Sequence, residues 1–172
     1  MKRIAQFEKV SYEQFLKDYK DTFPTLTETE IKDMYEKINL PKRATKGSAG
    51  YDFFAPFNFS LEPGEMIKIP TGIRVKIEEG WVLKAYPRSG LGFKFKLQLN
   101  NTVGIIDQDY YYSNNEVHIF LKLTNDTREN KTVEVKAQNG FAQGIFLEYG
   151  ITYDDDVADE RNGGFGSTTK NN

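Results

Sequence analysis

The run Met66-Ile67-Lys68-Ile69-Pro70-Thr71-Gly72-Ile73-Arg74-Val75-Lys76-Ile77-Glu78-Glu79-Gly80-Trp81-Val82-Leu83-Lys84-Ala85-Tyr86 decides the fold. Apolar residues alternate with lysine and arginine, and the alternation breaks at Gly72 and at Glu78-Glu79-Gly80. A period of two, in short pieces separated by turn residues, is the pattern of half-buried strands. It continues downstream through residues 96–100, 116–124, 132–136 and 141–149, with Gln138-Asn139-Gly140 as a further turn. Upstream it is bounded by Glu62-Pro63-Gly64. Many short strands at this spacing predict an all-β barrel or sandwich. Within 116–124, Val117, Ile119, Leu121 and Leu123 share one face, which puts His118 on the mixed, wetter face with Glu116, Phe120 and Lys122.

Before Leu40 the pattern is different. Residues 2–10 suit a first strand, with Ile4, Gln6, Glu8 and Val10 on one face and Ala5, Phe7 and Lys9 on the other. Residues 11–39 then predict a helical hairpin. Ser11-Tyr12-Glu13-Gln14 and Thr27-Glu28-Thr29-Glu30 are capping boxes, and Leu26 and Ile31 are placed as a hydrophobic staple. Tyr12, Phe15, Leu16 and Tyr19 mark one apolar stripe, and Ile31, Met34, Tyr35 and Ile38 the other; both are packing surfaces.

Composition narrows the class. The chain has 172 residues, which suits a single domain spanning 1–172 with a sizeable core. With 23 basic and 25 acidic residues the net charge is −2, without the basic excess of a duplex nucleic-acid binder. A phosphate-bearing small molecule needs only a local cluster. The absence of cysteine excludes disulfides, thiolate catalysis and cysteine–zinc sites. One histidine, with no Cys partner and no nearby carboxylate pair, is not a metal site. No run has transmembrane length and Met1-Lys2-Arg3-Ile4 leads into no signal core, so an intracellular, cytoplasmic location without membrane partner is expected.

Five segments carry residues that strand formation does not call for. Residues 44–52 are a small-residue loop ending at Asp52, a carboxylate that also suits plain pairing with an arginine. Pro87-Arg88-Ser89-Gly90-Leu91-Gly92 follows a strand and suits a short helix start, where exposed amides favour an anion. Residues 101–110 read as an apolar hairpin with Asn101 at one end and Asp107-Gln108-Asp109-Tyr110 at the other. Asn101 can offer both donor and acceptor to a pyrimidine edge. Gln143 sits inside the apolar run Phe141-Ala142-Gln143-Gly144-Ile145. Last, Arg161-Asn162-Gly163-Gly164-Phe165-Gly166-Ser167-Thr168-Thr169 is poor core material; residues 160–172 suit a flexible arm whose glycines and hydroxyls can meet phosphate and whose Phe165 can stack on a base.

In this order and spacing the five segments resemble the five motifs of the homotrimeric dUTP pyrophosphatase (dUTPase) family, over residues 40–169. The resemblance implies a distorted jelly-roll β-barrel, assembled as a homotrimer whose active sites are shared between subunits. It implies hydrolysis of dUTP to dUMP and pyrophosphate with Mg²⁺, which cleans the nucleotide pool and supplies the thymidylate precursor. Asp107 would be the base that activates water for attack on the α-phosphorus. Asp52 would meet Mg²⁺ through water only. Ser89 and Gly90 would contact the α/β bridge, and Arg88 and Gln143 would organise the phosphates. Asn101, Gly104 and Ile106 would read uracil, and Tyr110 would underlie deoxyribose. Arg161, Gly166, Ser167 and Thr168 would hold the terminal phosphate, with Phe165 over the base.

Three departures from the family pattern stand out. Gly140-Phe141 replaces the usual Arg-Ile, Tyr111-Tyr112-Ser113-Asn114-Asn115 lengthens the turn after Tyr110, and the helices of 11–39 are additional. The nearest alternative is a dCTP deaminase-like enzyme of the same fold, but Lys122 stands where that enzyme carries its catalytic glutamate, and lysine cannot accept the shuttled protons. A non-catalytic nucleotide-sensing or partner-binding module is the alternative from another class.

Overall fold

Strands form where the alternation is cleanest. The structure, a computed structural model, describes residues 1–112 and 115–157. In chain order its elements are β1 (Ala5–Lys9), α1 (Tyr12–Thr22), α2 (Glu28–Glu36), β2 (Lys42–Arg43), β3 (Tyr51–Phe54), β4 (Phe59–Leu61), β5 (Met66–Pro70), β6 (Ile73–Ile77), β7 (Trp81–Pro87), α3 (Ser89–Phe95), β8 (Leu97–Leu99), β9 (Gly104–Ile106), a 3-10 helix (Gln108–Tyr112), β10 (Phe120–Asn125), β11 (Val133–Val135) and β12 (Gly140–Glu148). Along β6, Ile73, Val75 and Ile77 are buried while Lys76 is exposed, as a period of two requires.

The fold is mainly β, as expected. Among the described residues the ladders make four sheets rather than one closed cylinder: β2-β3-β12-β7-β9, β5-β10-β8, β1-β6 and β11-β4. Their inner faces share one core containing Phe53, Ile69, Val75, Leu83, Leu123 and Phe141. No described helix is long and apolar enough to cross a membrane.

Residues 101–110 do not form the expected hairpin. β8 pairs with β10, whereas β9 pairs with β7, so the intervening turn carries the chain from one sheet to another. Thr102 takes a left-handed φ of 66° at that turn, bridged to Leu99.

The two helices pack on the β-structure through Val10, Phe15, Tyr19 and Ile31. The second capping box forms as predicted, with Thr27 and Glu30 bonded reciprocally. The first is completed differently. Ser11 accepts from the Gln14 amide at 3.2 Å, but its own N–H and hydroxyl donate to the Glu116 carboxylate at 2.7 and 2.5 Å. Gln14 donates to Asp18 instead. Tyr19 donates to the Pro70 carbonyl at 2.9 Å, and burial pushes its phenol pKa well up, so it remains a donor.

His118 corrects the strand reading. β10 begins only at Phe120, Glu116 and Val117 have positive φ, and the His118 ring is fully buried against α1. Gly72 N–H donates to Nε2 at 2.7 Å, which assigns the ring proton to Nδ1, 2.6 Å from Asp18 Oδ2. Gly72 itself has φ 74°, and a side chain there would run into Ile38 and Phe15. Exchange of His118 for leucine would strand a buried amide and a sheltered carboxylate. It is expected to cost roughly 3 kcal/mol, read as a lower urea midpoint at unchanged slope. An unmoved midpoint would show that this contact carries no stability.

Candidate active site

β12 frames the site. Its alternation buries Ala142 and Gly144 and sends Gln143 outward. In register, Gln143 lies between Asp52 of β3 and Tyr86 of β7, so the three share the outer face. Gln143 Nε2 donates to the Pro87 carbonyl at 3.2 Å. Its amide also presses on Gly50, where any Cβ would collide with the Gln143 oxygen. Gly50 therefore belongs to the site's frame; its signal was the run of small residues before Tyr51.

Arg88 leaves the end of β7 and reaches Asp52, Nε to Oδ1 at 3.3 Å. The carboxylate is sheltered, at 16% exposure, and the arginine side chain is open, at 44%. A pair so exposed adds little stability, but it fixes where the guanidinium points. Asp52 thus makes the arginine pairing that its sequence context allows. Arg88 is also the residue preceding α3, and the Leu91 and Gly92 amides donate to its carbonyl. Ser89 and Gly90 open that helix, where amides lack intrahelical acceptors, and the space beside Gly90 is empty to 4 Å.

Among the other described candidates, Ile106 and Asp107 lie toward the other end of β7. Gly104 pairs with Ala85 and Ile106 with Leu83, which puts Asp107 level with Val82. Arg88 is six residues further on, about 20 Å at ~3.3 Å per residue. The structure therefore brings Asp52, Arg88, Ser89, Gly90 and Gln143 together and holds Ile106 and Asp107 apart from them, with Gly104 between. Asn101 is exposed in the turn before β9, and Tyr110 lies in the 3-10 helix. Arg161, Phe165, Gly166, Ser167 and Thr168 lie outside the described residues.

Sequence reasoning missed a clamp on the segment that follows Asp107. Tyr111 donates to Glu8 Oε2 at 3.1 Å, Arg74 Nη2 pairs with the same oxygen at 2.8 Å, and the Arg74 guanidinium covers the Tyr111 ring at 4.9 Å. Residues so far apart in the chain leave no local signal. A cleft of about 440 Å³ borders this clamp, lined by Lys2, Lys76, Glu78, Gln108 and Tyr111 among others, and contains none of Asp52, Arg88 or Gln143. Lys122, opposite Lys68 on β5, is exposed. Among the described residues no group of three His, Asp or Glu side chains is placed to hold a metal ion.

Known proteins bear on this arrangement. Deoxyuridine 5'-triphosphate nucleotidohydrolase of Lactococcus lactis is 43% identical over 134 residues, 76% of this chain and 88% of its own. The crystal structure of dUTPase from Streptococcus mutans superposes with a TM-score of 0.59 at 31% identity, over 85% of this chain and 97% of that one. Staphylococcus bacteriophage 80alpha dUTPase with dUPNHPP, 21% identical, shares the fold at a TM-score of 0.60 over 98% and 100% of the two chains. The family model for dUTPase matches residues 36–169, starting where α2 ends and spanning Asp52, Arg88, Asp107 and Gln143; the chain belongs to the dUTPase family.

Proposed function

We propose that this chain hydrolyses dUTP to dUMP and pyrophosphate. The observation that carries it is the convergence of Asp52, Arg88 and Gln143 on one outer face beside the opening of α3. A guanidinium held at Nε by a carboxylate keeps its other donors for phosphate oxygens. Ser89 and the Gly90 amide add donors where charge develops on the α/β bridging oxygen. Asp107 accepts a proton from water as the water oxygen bonds to the α-phosphorus and the bond to pyrophosphate breaks.

Base recognition falls to β9. Among the described strands it pairs with β7 on one side only, so its other edge is open to uracil, for which Gly104 and Ile106 are the proposed contacts. Asn101 adds an amide, and cytosine, with one donor–acceptor pattern reversed, would leave a polar group unpaired. Tyr110 underlies the sugar and excludes a 2′-hydroxyl. Arg161, Phe165, Gly166, Ser167 and Thr168 close over the bound nucleotide as a lid.

The separation of Asp107 from Arg88 along β7 favours a shared site. A head-to-tail ring of copies can set one subunit's Asp107 beside the next one's Arg88, and the homotrimer is the assembly proposed. With no three-carboxylate cage among the described residues, Mg²⁺ fits here only as an ion held chiefly by substrate phosphates, with Asp52 reaching it through water. When bound it would neutralise phosphate charge.

The test is incubation of the purified protein with dUTP, dCTP, dTTP and UTP, with and without Mg²⁺, and quantification of monophosphates. Rapid Mg²⁺-dependent dUMP formation from dUTP alone is expected. No dUMP would sink the hydrolase, and deoxyuridine nucleotides from dCTP would favour the deaminase.

A further inference from the structure

We infer that the N-terminal segment positions the active site: Glu8 and Ser11 grip the two ends of the turn that follows Asp107 and Tyr110, and so hold those two residues where the reaction needs them. This rests on the dUTP hydrolysis proposed above and adds Glu8 and Glu116 to it as positioning residues.

The longer turn after Tyr110 and the added helices of 11–39 meet each other in the structure. At the near end of the turn, Tyr111 donates to Glu8 Oε2 at 3.1 Å. Arg74, opposite Glu8 in the β1–β6 ladder, donates to the same oxygen from Nε at 3.0 Å and from Nη2 at 2.8 Å. At the far end, the Glu116 carboxylate accepts the N–H and the hydroxyl of Ser11, the residue that caps α1. Glu8 and Ser11 are three residues apart, about 10 Å of extended chain at ~3.3 Å per residue. Between them the Val10 amide donates to the Gly72 carbonyl at 3.0 Å, so one short, pinned stretch holds both ends of the turn. A longer turn has more conformations to lose, and without anchors its neighbours would be less well placed. The far end also needs holding for a local reason. Glu116 and Val117 have φ of 53° and 61°, left-handed values that are costly for a residue with a β-carbon and most of all for a β-branched one. Such a backbone persists where its surroundings over-determine it, and the Ser11 bonds to Glu116 help to do so. The near end bears on the chemistry. Asp107 lies between Ile106, paired with Leu83 of β7, and the 3-10 helix that contains Tyr110 and Tyr111. The β7 ladder holds the chain before Asp107, and Glu8 holds it four residues after. Without the second hold the helix can shift, and Asp107 and Tyr110 shift with it.

The test compares wild type with Glu8→Ala, Glu8→Gln and Glu116→Ala. Tyr19→Phe, which gives up the bond to the Pro70 carbonyl, serves as a loss of helix docking away from the turn. Steady-state kinetics are measured on dUTP and on UTP, and stability is read as the urea midpoint. Glu8→Ala and Glu116→Ala are each expected to lower kcat on dUTP roughly tenfold, the scale of a slightly misplaced catalytic group, with KM moving less. The preference for dUTP over UTP should narrow in both, because Tyr110 moves with the turn. Glu8→Gln keeps an acceptor for Tyr111 and should recover most of the turnover. Tyr19→Phe should lower the urea midpoint while kcat and the dUTP preference stay near wild type. Tyr111→Phe, which loses only the hydroxyl, keeps the test open if the alanine variants do not fold; it should show a smaller loss of kcat in the same direction, and full turnover in it would then count against the grip. Wild-type kcat and selectivity in both alanine variants, or an equal loss in Tyr19→Phe, would overturn the positioning role. Failure of the wild-type chain to hydrolyse dUTP would overturn the hydrolase reading itself.

Discussion

Asp107→Asn is expected to keep dUTP binding and to lose turnover by about a hundred- to ten-thousand-fold, the range a positioned general base contributes. The substitution is close to isosteric, so the residue can still fill its place after β9. What it loses is the ability to accept a proton from water. The loss should therefore fall on kcat, with the affinity for α,β-imido-dUTP within a few-fold of wild type. Pyrophosphate release and calorimetry check the two halves separately. Full turnover in the variant would move the base to another group; loss of binding would make Asp107 a ligand contact.

The second large effect is a rescue. Asp107→Asn, nearly inactive, and Arg88→Ala, impaired in binding, should together regain activity when the two proteins are unfolded together and refolded as mixed oligomers. The reason is the length of β7, which separates the two residues within one chain. If a site takes Asp107 from one copy and Arg88 from its neighbour, random mixing leaves roughly one site in four with both groups intact. Separately refolded samples, combined afterwards, are the control. A mixture no more active than its components would place both residues in the same copy's site and remove the shared-site proposal.

Much of the fold was legible because burial imposes a period. β5, β6 and β7 fall almost where the alternation puts them, since each has one face in the core. The helices were legible through their caps, Ser11 and Thr27. β3 was less visible: in Tyr51-Asp52-Phe53-Phe54 only Phe53 is fully buried, and the polar residue serves the site. Residues 116–119 misled because Val117 and Ile119 continue the alternation of Leu121 and Leu123, although the backbone there is irregular and Val117, His118 and Ile119 are all buried. In the candidate site, Asp52, Arg88 and Gln143 were marked by being chemically out of place in their segments. Their mutual geometry was not, because it depends on a register shift between Gly140 and Ala142 that no local pattern encodes.

The docking of α1 also bears on how the chain is made. Ser11 and Asp18 are bonded to residues 105 and 100 positions later, Glu116 and His118. Translation at about 5–20 residues per second leaves the first helices without those partners for roughly 5–20 s. At 11 and 9 residues, α1 and α2 are too short to hold helical structure alone in water. The N-terminal segment therefore completes its docking late, after the strand that ends at Pro70 has met its apolar stripe. A growing chain in this state is the form most open to chaperones and proteases, and the bond from the left-handed Gly72 to His118 is among the contacts that only the later part of the chain can complete.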